Sequence, residues 1–259
     1  MKTKQILQYV VLGCGAIALI TQALAMLLQY DVGTHYFAHA AALPILAVAA
    51  AFLAAIAGIA IAVTTPCNTE TADVFPAGTQ YASIITAIGF AIAALLLGIY
   101  RIGSVSSNVT TLTLLTSVGS AAYATATCSA PMRSRTNSIS LLGFLAPISC
   151  VLWNAYYYFD TAIEMNSPIK TTTQIGLLFA MLYLLSELRF LMGQPLPRMF
   201  LASAYLTAAF GALSALSVPI AYFTGKCDRL DYVAGSVLTL CILIAAILRA
   251  NTLMKSAKE

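Results

Sequence analysis

Two charged residues, Glu187 and Arg189, lie inside the apolar run LYLLSELRFL at residues 182–191. Residues two positions apart on a helix point about 200° away from each other, so these side chains need separate partners. Arg189 lies about 6 Å of helix before Gly193, so its long side chain can extend to the lipid headgroups. Glu187 is shorter and deeper, and its burial requires a cationic partner, a water-filled cavity or protonation.

The candidate partners of Glu187 are the arginines expected at the same depth, which are Arg249, Arg198, Arg133 and Arg135. A pair with one of them would be a structural contact that holds helix ends together. Alternatively, Glu187 would couple an ion or a substrate to transport, or would lie exposed at the membrane interface. Glu187, Arg189 and Arg249 are therefore the buried-charge or coupling candidates.

The most polar of the apolar segments is the one at residues 108–128, and its hydroxyl groups recur at three- and four-residue spacing along one side. The residues of this stripe are Thr113, Thr116, Ser117, Ser120, Tyr123 and Thr127. Such a stripe either lines a hydrated path for a small polar solute or bonds its own backbone and allows neighbouring helices to pack closely. Asn154, in LWNAYYYF, leaves a similar choice between a helix-to-helix hydrogen bond and a pathway contact.

The two histidines, His35 and His39, occur in THYFAH with Asp31 nearby. On a helix, their spacing would place both rings on one face at the outer start of the second span. A histidine pair with a carboxylate is half of a metal site, so these three residues are the metal candidates. The alternative is a pair of amphipathic residues at the headgroups.

The sequence excludes several kinds of membrane enzyme. Di-iron enzymes and haem-binding cytochromes need several histidines within their spans, whereas both histidines of this chain lie at the start of one span. No HExxH, GxSxG, Walker or CxxC motif occurs. We therefore predict no catalytic constellation, no cofactor and no nucleic-acid partner.

Composition identifies the environment that must position these residues. Hydrophobic residues make up 60% of the 259 positions and charged residues 8%, against about 25% charged residues in soluble domains. Apolar runs predict a single all-α polytopic transmembrane domain, 1–259, with about eight helices in a cell membrane. The predicted spans are 5–29, 39–63, 79–100, 108–128, 138–160, 168–192, 198–223 and 230–251.

The positive-inside rule gives the orientation. With the amino terminus inside, nine of the 13 lysines and arginines face the cytoplasm, and the remaining four lie outside. The outer four are Arg101, Lys170, Lys226 and Arg229. Both termini are therefore predicted to be cytoplasmic.

A faint internal similarity relates LQYDVGTHYFAHA, residues 28–40, to YYFDTAIEMNSPI, residues 157–169. Each segment places an aromatic residue and an aspartate at the outer end of a helix. Because four spans separate them, residues 1–128 and 129–259 would be parallel four-helix repeats. The alternative is that alanine-rich helices resemble each other by composition.

Three classes of function remain. The first is a small-solute or ion transporter of the permease kind, and the second is a non-catalytic membrane subunit, scaffold or sensor that acts through a protein partner or as a homo-oligomer. The third is an enzyme acting on substrates in the lipid phase. A continuous polar cavity that reaches the midplane would favour the transporter, whereas a tightly packed bundle with an exposed groove would favour the non-catalytic protein.

Overall fold

The computed structural model describes residues 2–38, 41–65, 80–102, 107–128, 140–192, 194 and 196–256. The helices occur where the apolar runs predict them, and the prediction of an α-helical polytopic membrane protein is confirmed. They are α1 (Lys2–Leu28), α2 (Ala42–Thr64), α3 (Gln80–Tyr100), α4 (Asn108–Ala126), α5 (Leu145–Phe159), α6 (Pro168–Leu191), α7 (Pro197–Ala215), α8 (Ser217–Phe223) and α9 (Leu230–Ser256). A 3-10 turn, Ser140–Phe144, leads into α5, and α7 and α8 together form the seventh predicted span.

Seven segments of the described chain are long and apolar enough to cross a membrane, with α7 and α8 counted as one. The remaining long helix, α4, is less apolar because threonine and serine replace aliphatic residues along it. Its composition alone therefore does not define it as a span.

The bundle has two distinct ends. The hairpin end carries residues 29–38, where β1 (Tyr30–Asp31) pairs with β2 (Tyr36–Phe37) in an antiparallel hairpin, together with residues 101–102, 160–167 and 224–229. The terminal end carries the start of α1 and the end of α9. The helices connect the two ends. The 27-residue α9, for example, is about 40 Å long.

The helix α4 extends from one end to the other. At the hairpin end, Ser107 shares a cavity wall with Tyr156. At the terminal end, a Cβ atom added to Gly143 would lie 2.7 Å from the Tyr123 hydroxyl. The 19 residues of α4 measure about 28 Å, close to the thickness of a bilayer's hydrocarbon core.

The core is organised around α7, which packs against α1, α2, α6 and α9. Close approach is possible because glycines face each other near the middle of the bundle. A Cβ atom on Gly176 of α6 would lie 2.9 Å from Cγ2 of Thr239 and 3.1 Å from Oγ of Ser214. The backbones of α6, α7 and α9 are therefore in near contact at this level.

The two halves proposed as repeats share some helix contacts and differ in others. The second helix, α2, packs against α1 as its counterpart α6 packs against α5. However, α6 also packs against α7 and α9 of its own half, whereas α2 packs against α7 of the other half. The repeat therefore stays a prediction.

The predicted orientation can be tested with two exposed positions, Asp228 at the hairpin end and Lys255 at the terminal end. We expect a membrane-impermeant maleimide to label Asp228→Cys in intact cells and Lys255→Cys only after permeabilisation, above the labelling of the wild-type chain. The native Cys227 is only 8% exposed, so it should react more slowly than Asp228→Cys. The reverse pattern of labelling would invert the orientation.

Candidate functional site

Glu187 lies at the terminal end of the bundle and forms an ion pair with Arg249 of α9. The side chains are 14% and 5% exposed, respectively. Arg249 also donates a hydrogen bond of 2.6 Å to Oγ of Ser83 on α3. The pair thus joins three helices, and the hydroxyls of Tyr183 and Tyr123 interact with it electrostatically.

The side chain of Arg189 points away from that of Glu187. It is exposed, and its backbone carbonyl accepts a hydrogen bond of 3.0 Å from the backbone N–H of Gln194. Of the other arginines considered as partners of Glu187, Arg198 is exposed, and Arg133 and Arg135 lie outside the described residues. The structure therefore brings Glu187 and Arg249 together and leaves Arg189 apart, while a coupling role for any of them stays a prediction.

Removal of one partner of this pair should be costly. Glu187→Gln would leave the Arg249 guanidinium buried without its counter-charge, and we expect a loss of about 3 kcal/mol in the free energy of unfolding. Replacing both partners, with Glu187→Gln and Arg249→Met, should recover much of that loss, because no unpaired charge then stays buried. Denaturant unfolding in detergent measures both effects.

Arg189→Gln is the matched control, because this exposed arginine is on the same helix; its effect should stay within about 0.5 kcal/mol. A Glu187→Gln variant as stable as Arg189→Gln would contradict a structural role for the ion pair.

The hydroxyl stripe on α4 makes hydrogen bonds within its own helix. The side-chain oxygens of Thr113, Thr116, Ser117 and Ser120 each donate to the carbonyl four residues earlier, at 2.7, 2.8, 2.7 and 2.6 Å. Bonds of this kind satisfy the hydroxyls without water. The contacts thus favour the packing alternative, and the choice between packing and a hydrated path stays a prediction.

One hydroxyl of the stripe also connects α4 to α5. Oγ of Ser117 lies 2.9 Å from Oγ of Ser149 and accepts a hydrogen bond of 3.1 Å from Nε1 of Trp153. Asn154, on the same helix α5, donates to the carbonyl of Cys150 at 3.0 Å. Its side chain therefore bonds its own helix, which neither of the two predicted alternatives described.

The metal hypothesis depended on a helical conformation that His35 does not have. His35 lies in the turn of the hairpin with φ of 57°, and α2 begins only at Ala42; His39 lies outside the described residues. The Asp31 carboxylate accepts hydrogen bonds from the backbone N–H of Gly33 at 3.1 Å and the hydroxyl of Thr34 at 2.9 Å, which lower its pKa. Within the described ranges, no group of three or more potential metal ligands occurs.

A network of charges that the sequence pattern did not predict lies at the hairpin end. Arg229, just before α9, lies between two carboxylates, at 2.9 Å from Asp160 and 2.7 Å from Asp231. Each carboxylate also accepts a hydrogen bond from a tyrosine hydroxyl, Tyr232 to Asp160 at 2.9 Å and Tyr156 to Asp231 at 2.7 Å. The network joins the end of α5 to the start of α9.

This hairpin-end network is largely buried. Asp231 is fully buried, and the Arg229 guanidinium lies over the rings of Tyr100 and Tyr232, at 5.2 and 5.4 Å from their centroids. Burial alone would lower the pKa of Arg229, but the hydrogen bonds and charges of Asp231 and Asp160 raise it above its ordinary value. Arg229 is therefore a permanent cation in this network.

Two lysines at the hairpin end donate hydrogen bonds to backbone carbonyls. Lys170, which is 1% exposed, donates to the carbonyls of Asp160 at 2.6 Å and Ile163 at 3.3 Å. Lys226 donates to the carbonyls of Met26, Leu27 and Tyr30, at 3.0, 2.7 and 3.2 Å. Lys226 therefore caps the carboxyl end of α1, where the helix dipole favours a cation.

Between the hairpin and these loops lies a cavity of about 540 Å³, the hairpin-end cavity. Its lining combines tyrosines, aliphatic residues and charged residues: Tyr30, Tyr100, Ile163, Lys226, Asp228 and Arg229. Burial raises the pKa of Tyr30 to about 12, so its phenol stays protonated. The phenol oxygen lies 3.5 Å from Nδ1 of His35.

The sequence carried one signal for this region. The four cations predicted to lie on the outer side are Arg101, Lys170, Lys226 and Arg229. Their location at helix ends on the same side, with Asp160 and Asp231 at the same depth, indicates that these charges lie at one end of the bundle, but not which of them form pairs.

The fold and these contacts define a polytopic α-helical membrane protein with an ion-pair network at each end of its last helix. No protein family model, no curated protein sequence and no solved structure matches the chain. Its function must therefore be argued from its own geometry.

The hairpin-end network should control access to the cavity. Cys227 lies in the cavity wall, and burial raises the pKa of its thiol, which slows alkylation. Asp160→Asn removes one of the two carboxylates that pair with Arg229, so the loop that carries Arg229 and Cys227 should open more often. We expect the alkylation rate of Cys227 to increase several-fold, as measured by peptide mass spectrometry in detergent. The control Asp228→Asn, which removes an exposed charge beside the same thiol, should change that rate less. Equal rates in both variants would contradict a closing role for the network.

Proposed function

We propose that the chain is a non-catalytic membrane protein that binds a small polar ligand in the hairpin-end cavity, as a sensor or an accessory subunit does, without carrying the ligand across. The observation that carries this proposal is a ligand-sized cavity at one end of a bundle whose middle is filled by helix-to-helix contact. This proposal corresponds to the second class of function considered above, a non-catalytic membrane subunit, scaffold or sensor.

The cavity has the properties of a small-molecule site. A volume of about 540 Å³ falls within the range of ligand pockets, about 300 to 1,000 Å³. Aromatic rings from Tyr30 and Tyr100 supply apolar contact area, and Asp228 and the backbone of the 225–229 loop supply polar groups. The hairpin forms one side, so a ligand would contact both the hairpin and the loop before α9.

The middle of the bundle favours binding over passage. Beneath the cavity, Gly176, Gly211 and Thr239 bring α6, α7 and α9 into close contact. Thr207 of α7 donates to the carbonyls of Phe179 and Ser203, both at 2.8 Å. Hydroxyl groups at this level therefore serve helix packing, in contrast to the hydrated midplane sites of transporters.

A small-solute transporter is the second candidate, and one observation favours it. The seventh span is interrupted at Leu216, between α7 and α8, with Pro219 just beyond, and broken helices are common at transporter sites. In this alternative, the Glu187–Arg249 pair and the hairpin-end network would open in turn at opposite ends of α9. Ser214, whose hydroxyl lies at the close contact of Gly176, is only two positions before the interruption, so the break in the helix lies beside the closely packed level of the bundle.

Thermal unfolding with a panel of small carboxylates, amines and zwitterionic amino acids tests the proposal. We expect one chemical class to stabilise the wild-type protein, by about 2.7 kcal/mol at 100 times its Kd. Ala162→Trp should abolish the effect by filling the cavity, since Ala162 lines it and is exposed. Thr171→Trp, an exposed position of α6 outside the cavity lining, should not.

The same solute should then fail to cross proteoliposome membranes faster than it crosses empty liposomes. Protein-dependent flux that Ala162→Trp abolishes would favour the transporter. A panel without any stabilising solute would contradict a ligand site in this cavity.

A further inference from the structure

An apolar groove runs along the membrane-facing side of α3 and α4, with a volume of about 500 Å³. Its lining includes Ala91, Leu95, Gly98 and Ile102 on one side and Val118 and Ala121 on the other. The space exists because the side chains at its floor are small: a Cβ atom added to Gly98 would meet no atom within 4 Å. Leu95, Val118 and Ile102 are 62%, 59% and 80% exposed, so lipid contacts the walls of the groove.

The length of the groove indicates what fills it. From Ile102 at the hairpin end to Ala91 is 11 positions, or about 16 Å of helix. This is about half of the 30 Å hydrocarbon core, which is the depth of one leaflet. A transmembrane helix of a partner would run through the whole core, whereas a lipid acyl chain ends at the midplane. An acyl chain also restores the dispersion contacts that an empty groove would forfeit.

The hairpin end of the groove is cationic. Arg101 immediately precedes Ile102, donates a hydrogen bond of 3.2 Å to the Tyr156 hydroxyl, and lies 5.3 Å from the centroid of that ring. It also lines a polar cavity of about 290 Å³ with Ser107 and Asp160. The Asp160 carboxylate in that cavity forms an ion pair with Arg229, which it shares with Asp231.

The amino terminus of α4 adds to the positive potential at this point. Oγ of Ser107 accepts a hydrogen bond of 3.2 Å from the N–H of Thr110, which fixes the first turn beside Arg101. Helix amino termini carry partial positive charge and bind phosphate groups. A guanidinium and a helix terminus thus converge where the headgroup of a lipid in the groove would lie.

We propose that the α3–α4 groove and Arg101 form a binding site for an anionic phospholipid of the hairpin-end leaflet. Arg101 and the start of α4 hold the phosphate, and one acyl chain occupies the groove down to Ala91. The lining of this site and that of the hairpin-end cavity have no residue in common. The lipid site therefore does not depend on the proposed ligand.

Native mass spectrometry of the delipidated protein, titrated with phosphatidylglycerol and phosphatidylcholine of identical chains, tests the site. We expect phosphatidylglycerol to bind about fivefold more tightly, the contribution of one arginine at an anionic headgroup. Arg101→Gln should remove this preference and Arg101→Lys should retain it, because charge and not the exact contact with Tyr156 attracts the headgroup. Arg198→Gln, an exposed arginine at the terminal end, should leave the preference unchanged.

The groove itself is tested by filling it. Gly98→Leu should weaken binding of both lipids, whereas Gly15→Leu, at an equally open and equally half-buried glycine of α1, should not. Equal lipid binding by these two variants, or a wild-type preference unaffected by Arg101→Gln, would overturn the proposal. If the wild-type protein gave the mass of a dimer and Gly98→Leu alone gave only the monomer, the groove would bind a second copy of the chain. That result would also overturn the lipid proposal. The headgroup comparison uses the wild-type protein and stays decisive if Gly98→Leu does not fold.

Discussion

The guanidinium of Arg229 is the constraint on which the hairpin end depends. Packing between apolar helices in lipid has little directional preference, because lipid chains and leucine side chains are equally apolar. A guanidinium between Asp160 and Asp231 is directional, since each N–H···O contact has a narrow range of distance and angle. The separation of α5 and α9 at this end is therefore set by hydrogen bonds, and the apolar contacts below adapt to it.

Burial makes the network interdependent. A charge removed from water is costly unless it is paired and hydrogen-bonded, and Asp231 is fully buried. Both carboxylates use the same cation and each accepts one tyrosine hydroxyl. No member of the network is stable in its place without the others, which is why the loop before α9 is held against α5.

The last helix is fixed at both of its ends. Arg229 and Arg249 are 20 positions apart, or about 30 Å of helix, and each meets a carboxylate from another helix at its own end of the bundle. Between them, small residues such as Gly235 allow other helices to approach closely; a Cβ atom there would lie 2.9 Å from Cζ of Tyr157. The helix α9 is therefore bound to its neighbours at both ends and along its middle.

Sequence reasoning predicted the helices and the inward direction of Glu187, because both follow from local rules. Apolar run length determines the spans, and a two-residue spacing on a helix separates Glu187 from Arg189. The partner of Glu187 was not predictable, since four arginines were expected at one depth. The helical interpretation of His35 was avoidable: Pro44 is favoured in the first turn of a helix, which indicates a start near Ala42.

The hairpin-end network required information that one sequence does not contain. Asp160 and Arg229 are 69 positions apart, and the charge pattern indicates only that both lie on the same side of the membrane. Which helices are neighbours is decided by the packing of α7 against four others. Side-chain partners between distant loops follow from that packing and not from spacing along the chain.

The position of Lys226 in the chain has a consequence for biosynthesis. Its ammonium group caps α1, yet it lies 200 positions after Met26, so the helix leaves the ribosome long before its cap does. The carbonyls at the end of α1 and the Asp160 carboxylate therefore receive their cations only after the loop preceding α9 has been synthesised. Until then, both groups must stay hydrated at the membrane surface, and α1 completes its contacts at this end only when that loop is in place.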